Sequence, residues 1–300
     1  MSNSRTSIHT DRTHWEKPTL AVHMSWWGMS SLGEGDREWT LEERFAQIAE
    51  AGFDGIDGFI PAPEEAAEWR RLLAKYELAL SVNTYPRTAA DLEQFLQKVR
   101  DYDGDISFIN AQVMTPFLID ERAISLLGEL KRLGAAYELP VHIETHRGTI
   151  TQDLIRTADY VHQLNGLPLT IDFSHYVVAG ELHTISDEAE ALLGELLVHT
   201  ASIHARVSNG EQVQVGIGDN GEHPMVPHFK RWWKEGMKHW LRSRNNQEVT
   251  LTAVCELGPA GYAITIDEYA GRTKEISDRW QQSLLLKDIL RRAWSAALNE

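Results

Sequence analysis

The chain has 300 residues, with 29 Lys and Arg against 44 Asp and Glu, a formal charge of −15 with histidine neutral. A hydrophobic share of 42% with 24% charged residues excludes a disordered or collagen-like chain, and the length allows one large domain or two small ones. The single Cys255 excludes an internal disulfide framework, no window approaches eighteen consecutive apolar residues, and an acidic surface repels phosphate backbones, so neither a membrane nor a nucleic acid is an expected partner.

Met1 to Lys17 reads as a polar N-terminal tail with no apolar signal-peptide core, which predicts a cytoplasmic protein. Residues 18–300 read as one domain. Short runs rich in β-branched and aromatic residues begin near Leu20, Phe53, Leu78, Ile106, Pro140, Leu167, Ala201 and Val249, and each precedes a stretch long enough for a helix. In the first helix, Thr40 and Glu43 form a capping box, Leu41, Phe45, Ile48 and Ala49 form an apolar stripe, and Gly52 stops it. The fourth helix, about 119–139, repeats the stripe through Ile124, Leu127, Leu130 and Leu133, and the last, about 275–298, through Trp280, Leu284 and Trp294. Eight βα pairs of this size predict an α/β fold, a single (β/α)8 TIM barrel, whose chemistry lies at the C-terminal strand ends. Two long connections, 208–227 and 258–274, are candidates for covering that end.

Strand side chains alternate, so one parity enters the barrel. In the last four strands the inward parity is polar: His142, Glu144 and His146; Thr170, Asp172 and Ser174; Ser202, His204 and Arg206; Thr252, Val254 and Glu256. Glu144, Asp172, His204 and Glu256 thereby converge at four adjacent strand ends. Three carboxylates in a water-poor mouth repel one another unless a cation sits among them. An oxygen-rich set with one imidazole predicts one divalent metal ion, Mn²⁺ first, with Mg²⁺, Co²⁺ or Zn²⁺ as alternatives.

The segments ERFAQIAEAGFDGIDGF at 43–59, HIETHRG at 142–148, TIDFSHY at 170–176, SIHARV at 202–207 and CELGP at 255–259 resemble the xylose isomerase-like TIM-barrel superfamily. That superfamily spans sugar-phosphate isomerases and epimerases and the family 2 AP endonucleases, of the endonuclease IV type. The resemblance implies that Glu144, Asp172, His204 and Glu256 hold the metal, that His146, His175 and Arg206 contact substrate, and that Asp57 stands where relatives carry Glu. It departs at residues 202–206, where many members have His-x-His followed by Lys and Asp, and it lacks the zinc-binding histidines of the endonucleases. Pairing of barrels into a homodimer through the outer helices follows by analogy alone.

A divalent ion bound to a carbonyl and its neighbouring hydroxyl favours loss of a carbon-bound proton through an ene-diolate. Glu144 and Glu256, separated by two intervening strands, are the candidate catalytic base and acid for a carbohydrate isomerase or epimerase. A leaving group next to the carbon acid would make the same abstraction a lyase, deglycosidase or dehydratase step on a 3-keto sugar, and a non-catalytic metal-binding auxiliary subunit is the reading from another class. Trp26 and Trp27 end the first strand and either stack on a sugar or close the core. His23 and Asn83 point inward as core or substrate-contacting polar groups, and Cys255 points outward as a buried inert thiol. GIGDNG at 216–221 matches a dinucleotide fingerprint in spacing only, because Pro224 and Pro227 forbid the helix it needs. The Trp- and Lys-rich segment 229–244 reads as an outer barrel helix with buried aromatics.

Overall fold

The computed structural model describes residues 17–35, 37–244 and 249–300. The tail expected at 1–17 therefore lies, apart from Lys17, outside the described residues. In chain order the elements are β1 (Thr19–Ser25), a short antiparallel ribbon of β2 (Gly33–Glu34) and β3 (Arg37–Glu38), α1 (Leu41–Glu50), β4 (Gly55–Gly58), α2 (Pro63–Tyr76), β5 (Ala79–Thr84) and α3 (Ala89–Asp101). They continue with β6 (Ile109–Ala111), α4 (Asp120–Tyr137), β7 (Val141–Glu144), α5 (Leu154–Gln163), β8 (Leu169–Ile171), α6 (Ser174–Ala179), α7 (Asp187–Leu197), β9 (Thr200–Ala205), α8 (Val226–Ser243), β10 (Thr250–Cys255) and α9 (Arg279–Leu298).

Eight parallel strands close in the order β1-β10-β9-β8-β7-β6-β5-β4, and the helices surround them, which is a (β/α)8 barrel. The local signals explain much of this. Thr40 and Glu43 form the expected capping box on α1, and Gly52 ends the turn after it with φ 75°. Thr88 and Asp91 cap α3 in the same way. The aromatic residues of α8 are packed: Phe229, Trp232, Trp233 and Trp240 are all buried, as the outer-helix reading requires. Burial of each such ring contributes about 1.5–3 kcal/mol relative to exposure.

Two details differ from expectation. The sixth unit carries two helices, α6 and α7, and its strand stops at Ile171, before Asp172. The Asp172 carboxylate accepts both the backbone N–H (3.0 Å) and the hydroxyl (2.5 Å) of Ser174, a local turn that competes with the strand ladder. The connection expected to run to Pro227 ends earlier, because Val226 and Pro227 form the first turn of α8, where proline sacrifices no helical hydrogen bond.

Alternation holds through the barrel interior. Below the site, His142 Nδ1 lies 3.0 Å from Ser202 Oγ, and Thr170 Oγ1 lies 2.7 Å from the same atom, so three strands share one polar layer. Gly55 makes room for His23: a β-carbon there would lie 2.5 Å from the His23 Nε2 and 2.7 Å from the Ala79 carbonyl.

Candidate active site

Strand ends bring the predicted residues to one place. Glu144 is the last residue of β7, His204 lies in β9, and Asp172 and Glu256 follow β8 and β10 by one residue. All four are buried. His204 Nδ1 is 3.1 Å from Glu256 Oε2 and 3.7 Å from Glu144 Oε1. Burial alone would strip the charge from this imidazole, yet the two flanking carboxylates hold its pKa well above the ordinary value.

Two sets of side chains are arranged to coordinate a divalent cation: Glu144, His204 and Glu256, and Glu144, His146 and His175, with ligand atoms within 4.8 Å of one another in each set. Glu144 belongs to both. Its Oε1, both ring nitrogens of His204 and both ring nitrogens of His175 are buried without a hydrogen-bond partner. Buried donors and acceptors rarely stay unpaired, and carboxylate oxygens with imidazole nitrogens suit such an ion, so these residues fit one.

Asp172 stands apart from both sets. Its Oδ2 accepts a 2.7 Å hydrogen bond from Arg206 Nη2, and the same nitrogen donates to Glu256 Oε2. Burial nevertheless leaves the Asp172 carboxyl above its usual range, whereas at Glu256 the pull of Arg206 and His204 overcomes burial and takes the pKa down to about 2.

A polar belt runs from β4 to β7. Asn83 donates to Asp57 Oδ2 (2.6 Å), and Asn110 donates both to Asn83 Oδ1 (2.8 Å) and to Glu144 Oε2 (2.5 Å). Ser81 donates to Asp57 Oδ1 (2.7 Å) while its oxygen lies 3.0 Å from His23 Nδ1. Burial pushes the Asp57 carboxyl up to about 6, against the pull of His204 and the hydrogen bonds of Asn83 and Ser81, and drives the His23 imidazole down to about 3.

Above these groups opens a cavity of about 580 Å³ whose lining includes Asp57, Asn83, His146, Arg206, Glu256 and Tyr262. Glu144, His175 and His204 lie beneath it. The His146 ring sits 3.7 Å from the His175 ring, and its Nε2 is 3.3 Å from the Tyr262 hydroxyl. Trp26 lines the cavity too, but its ring is committed to the core, 4.7 Å from Trp69 and 5.5 Å from Phe45. Its neighbour Trp27 packs edge-on against Tyr262 at 4.9 Å, over Gly258, where a β-carbon would overlap the indole.

Asn110 and Tyr262 escaped the sequence reading. The inward parity of a polar residue between Ile109 and Ala111 was a usable signal for Asn110. None existed for Tyr262, which the connection from β10 to α9 carries into the site with Arg206 4.7 Å and Arg147 5.1 Å from its ring centre.

No protein-family model and no curated protein matches the sequence. Solved structures do match in fold. A xylose isomerase-like TIM barrel protein from Mycobacterium smegmatis in complex with magnesium aligns with TM-score 0.57 at 13% identity, over 95% of this chain and 98% of that one. The fold is that of the xylose isomerase-like TIM barrels. An L-ribulose 3-epimerase aligns with TM-score 0.58 at 12% identity, over 93% of this chain and 95% of that one. A probable 3-DHS dehydratase from Bacillus anthracis aligns with TM-score 0.56 at 13% identity, over 89% and 97% respectively. In this barrel, residues capable of holding a metal ion lie beneath a cavity of about 580 Å³. Among the described residues no helix is long and apolar enough to cross a membrane.

Proposed function

We propose that the protein is a divalent-metal-dependent sugar isomerase or epimerase that moves a proton at a carbon next to a carbonyl. The observation that supports this reading is the convergence of Glu144 and Glu256 on His204 Nδ1, with Glu256 facing the cavity. Glu144, His204 and Glu256 would hold the ion, with Mn²⁺ preferred, and Asp172 would be the fourth ligand. A bound ion supplies Lewis-acid polarisation of the carbonyl, which acidifies the neighbouring C–H.

The chain's own groups do the rest. Arg206 keeps Glu256 ionised and able to accept a proton. Glu144, anchored by Asn110, is the second proton-transfer group. Asp57, with a pKa near 6, is tuned to exchange a proton with a substrate oxygen near neutral pH. His146 and His175 position substrate oxygens. With a leaving group on the adjacent carbon the same abstraction becomes elimination, the dehydratase or lyase variant of this reading.

Elemental analysis of the purified protein beside Glu144→Gln and Asp172→Ala, followed by solvent deuterium uptake into ketoses, tests this. About one divalent ion per chain, lost in Glu144→Gln, and deuterium uptake abolished by Glu256→Gln are expected. Absence of metal from the wild type, even after incubation with Mn²⁺, would overturn the reading in favour of a barrel used only for binding.

A further inference from the structure

The cavity is polar on its floor and apolar on one side of its mouth. Trp27, Phe59 and Tyr85 line it yet remain 40%, 42% and 60% exposed. They follow β1, β4 and β5, three strands that are consecutive around the barrel, so the exposed rings form one sector of the rim. At Phe59 and Asn83 the cavity adjoins a second hollow of about 630 Å³ between α2 and α3, walled by Ile60, Pro61 and Phe95. Exposed apolar area that borders a concave polar site commonly marks ligand contact.

The charges point to an uncharged ligand. Among the described residues, Arg206 is the only Lys or Arg that lines the cavity, and its single charge faces two carboxylates, Asp172 and Glu256, both bonded to its Nη2. Arg147 lies against the Tyr262 ring and is not part of the lining. A phosphate group entering here would meet Asp57 and Glu256 beside one arginine already shared by two carboxylates, at the cost of desolvating its charge. The volume of about 580 Å³ is that of a site for a drug-sized ligand, of roughly 300–1,000 Å³.

We propose that the substrate is an unphosphorylated keto sugar carrying an apolar, planar substituent, as in an aryl glycoside with a ring ketone. The sugar hydroxyls meet Asp57, Asn83 and His146, and the substituent lies on Trp27, Phe59 and Tyr85. Aromatic faces suit both parts, since rings stack on planar groups and on the C–H face of a sugar. This inference rests on the sugar reading above and names the class of sugar.

Calorimetric titration with phenyl and methyl glycosides of glucose and galactose, with the free sugars, with glucose 6-phosphate and with phenol tests it by binding alone. For at least one sugar, the phenyl glycoside binds about tenfold more tightly than the methyl glycoside, and glucose 6-phosphate binds more weakly than glucose. In Tyr85→Ala and Phe59→Ala, both rim substitutions, the phenyl preference shrinks to about threefold or less. Equal affinities for phenyl and methyl glycosides, or tighter binding of glucose 6-phosphate than of glucose, overturn the proposal and leave the proton-transfer reading standing on metal content and deuterium uptake. Phenol binding as tightly as the phenyl glycosides, with no free sugar bound, overturns both; no binding by any of these probes overturns the proposal alone, because the glycosides carry no ketone for the proton-transfer reading to act on.

Discussion

Arg206 donates a 2.7 Å hydrogen bond to Asp172, and through the same nitrogen it also reaches Glu256. One buried guanidinium is thus shared by two carboxylates from different strand ends, and its removal leaves Asp172 without a cationic partner and Glu256 with His204 alone. Arg206→Met is expected to lose about 3–5 kcal/mol of unfolding free energy in urea without added metal, the cost of breaking a buried ion pair from one side. Addition of Mn²⁺ restores part of that loss, because the freed carboxylates gain a cation. Wild-type stability in the metal-free variant would show that the two carboxylates do not depend on this arginine.

Asn110 links Asn83 to Glu144 at the centre of the polar belt. Asn110→Ala leaves one carboxylate oxygen and one amide oxygen without a donor in a closed interior. The expected loss is about 1–3 kcal/mol. Under the proposed reaction, kcat falls while KM stays within a few-fold, because Asn110 is absent from the cavity lining. A change in KM alone would contradict a positioning role for Asn110.

His23 is buried and neutral, with its pKa depressed by burial to about 3 against an ordinary 6.5. A histidine that protonates only when unfolded contributes stability above pH 6.5, and that contribution is lost as pH falls from 6.5 towards 3. At pH 5 the loss from this residue is about 2 kcal/mol, at 1.36 kcal/mol per pH unit. Denaturant unfolding of wild type and His23→Gln at pH 7 and pH 5 measures it. The drop between the two pH values is smaller in the variant; identical drops would mean that His23 protonates in the folded barrel.

A β-carbon at Gly55 meets His23 and the Ala79 carbonyl at distances that real side chains do not adopt. Gly55→Ala is expected to destabilise by about 1–3 kcal/mol through overpacking. The same substitution made in His23→Ala costs less, since one of the two obstacles is gone. Strictly additive effects in the double-mutant cycle would separate the glycine from the histidine.

Asp57 combines burial with a place in the cavity wall, and its carboxyl titrates at about 6. For an acid whose folded pKa lies above the ordinary 3.8, ionisation is less favourable in the fold, so stability declines as pH rises from about 4 to about 6. Asp57→Asn removes that decline, and it removes any limb near pH 6 from the pH profile of turnover. A limb that persists unchanged in Asp57→Asn would assign it to another group.

The order of eight βα units, the capping box at Thr40 and the inward parity of Glu144, His204, Arg206 and Glu256 were all legible in the linear chain. Each rests on near-neighbour physics, the alternation of a strand and the unsatisfied N–H groups of a helix start, and so leaves a local pattern. The partnerships were not legible. Arg206 reads in sequence as a substrate contact and does line the cavity, but its bonds through Nη2 to both Asp172 and Glu256 leave no trace in the linear chain. Asp172 reads as a member of the metal set, and its bonds to Ser174 and Arg206 became visible only in the fold. Trp26 could not be told from Trp27 until one ring was found against Phe45 and Trp69 and the other against Tyr262. These outcomes follow from which strand ends closure of the barrel brings side by side and from where a long connection falls. Side-chain periodicity determines the face a residue occupies, whereas its partner there often lies far along the chain, as Arg206 does from Asp172 at 34 positions and Tyr262 from His146 at 116.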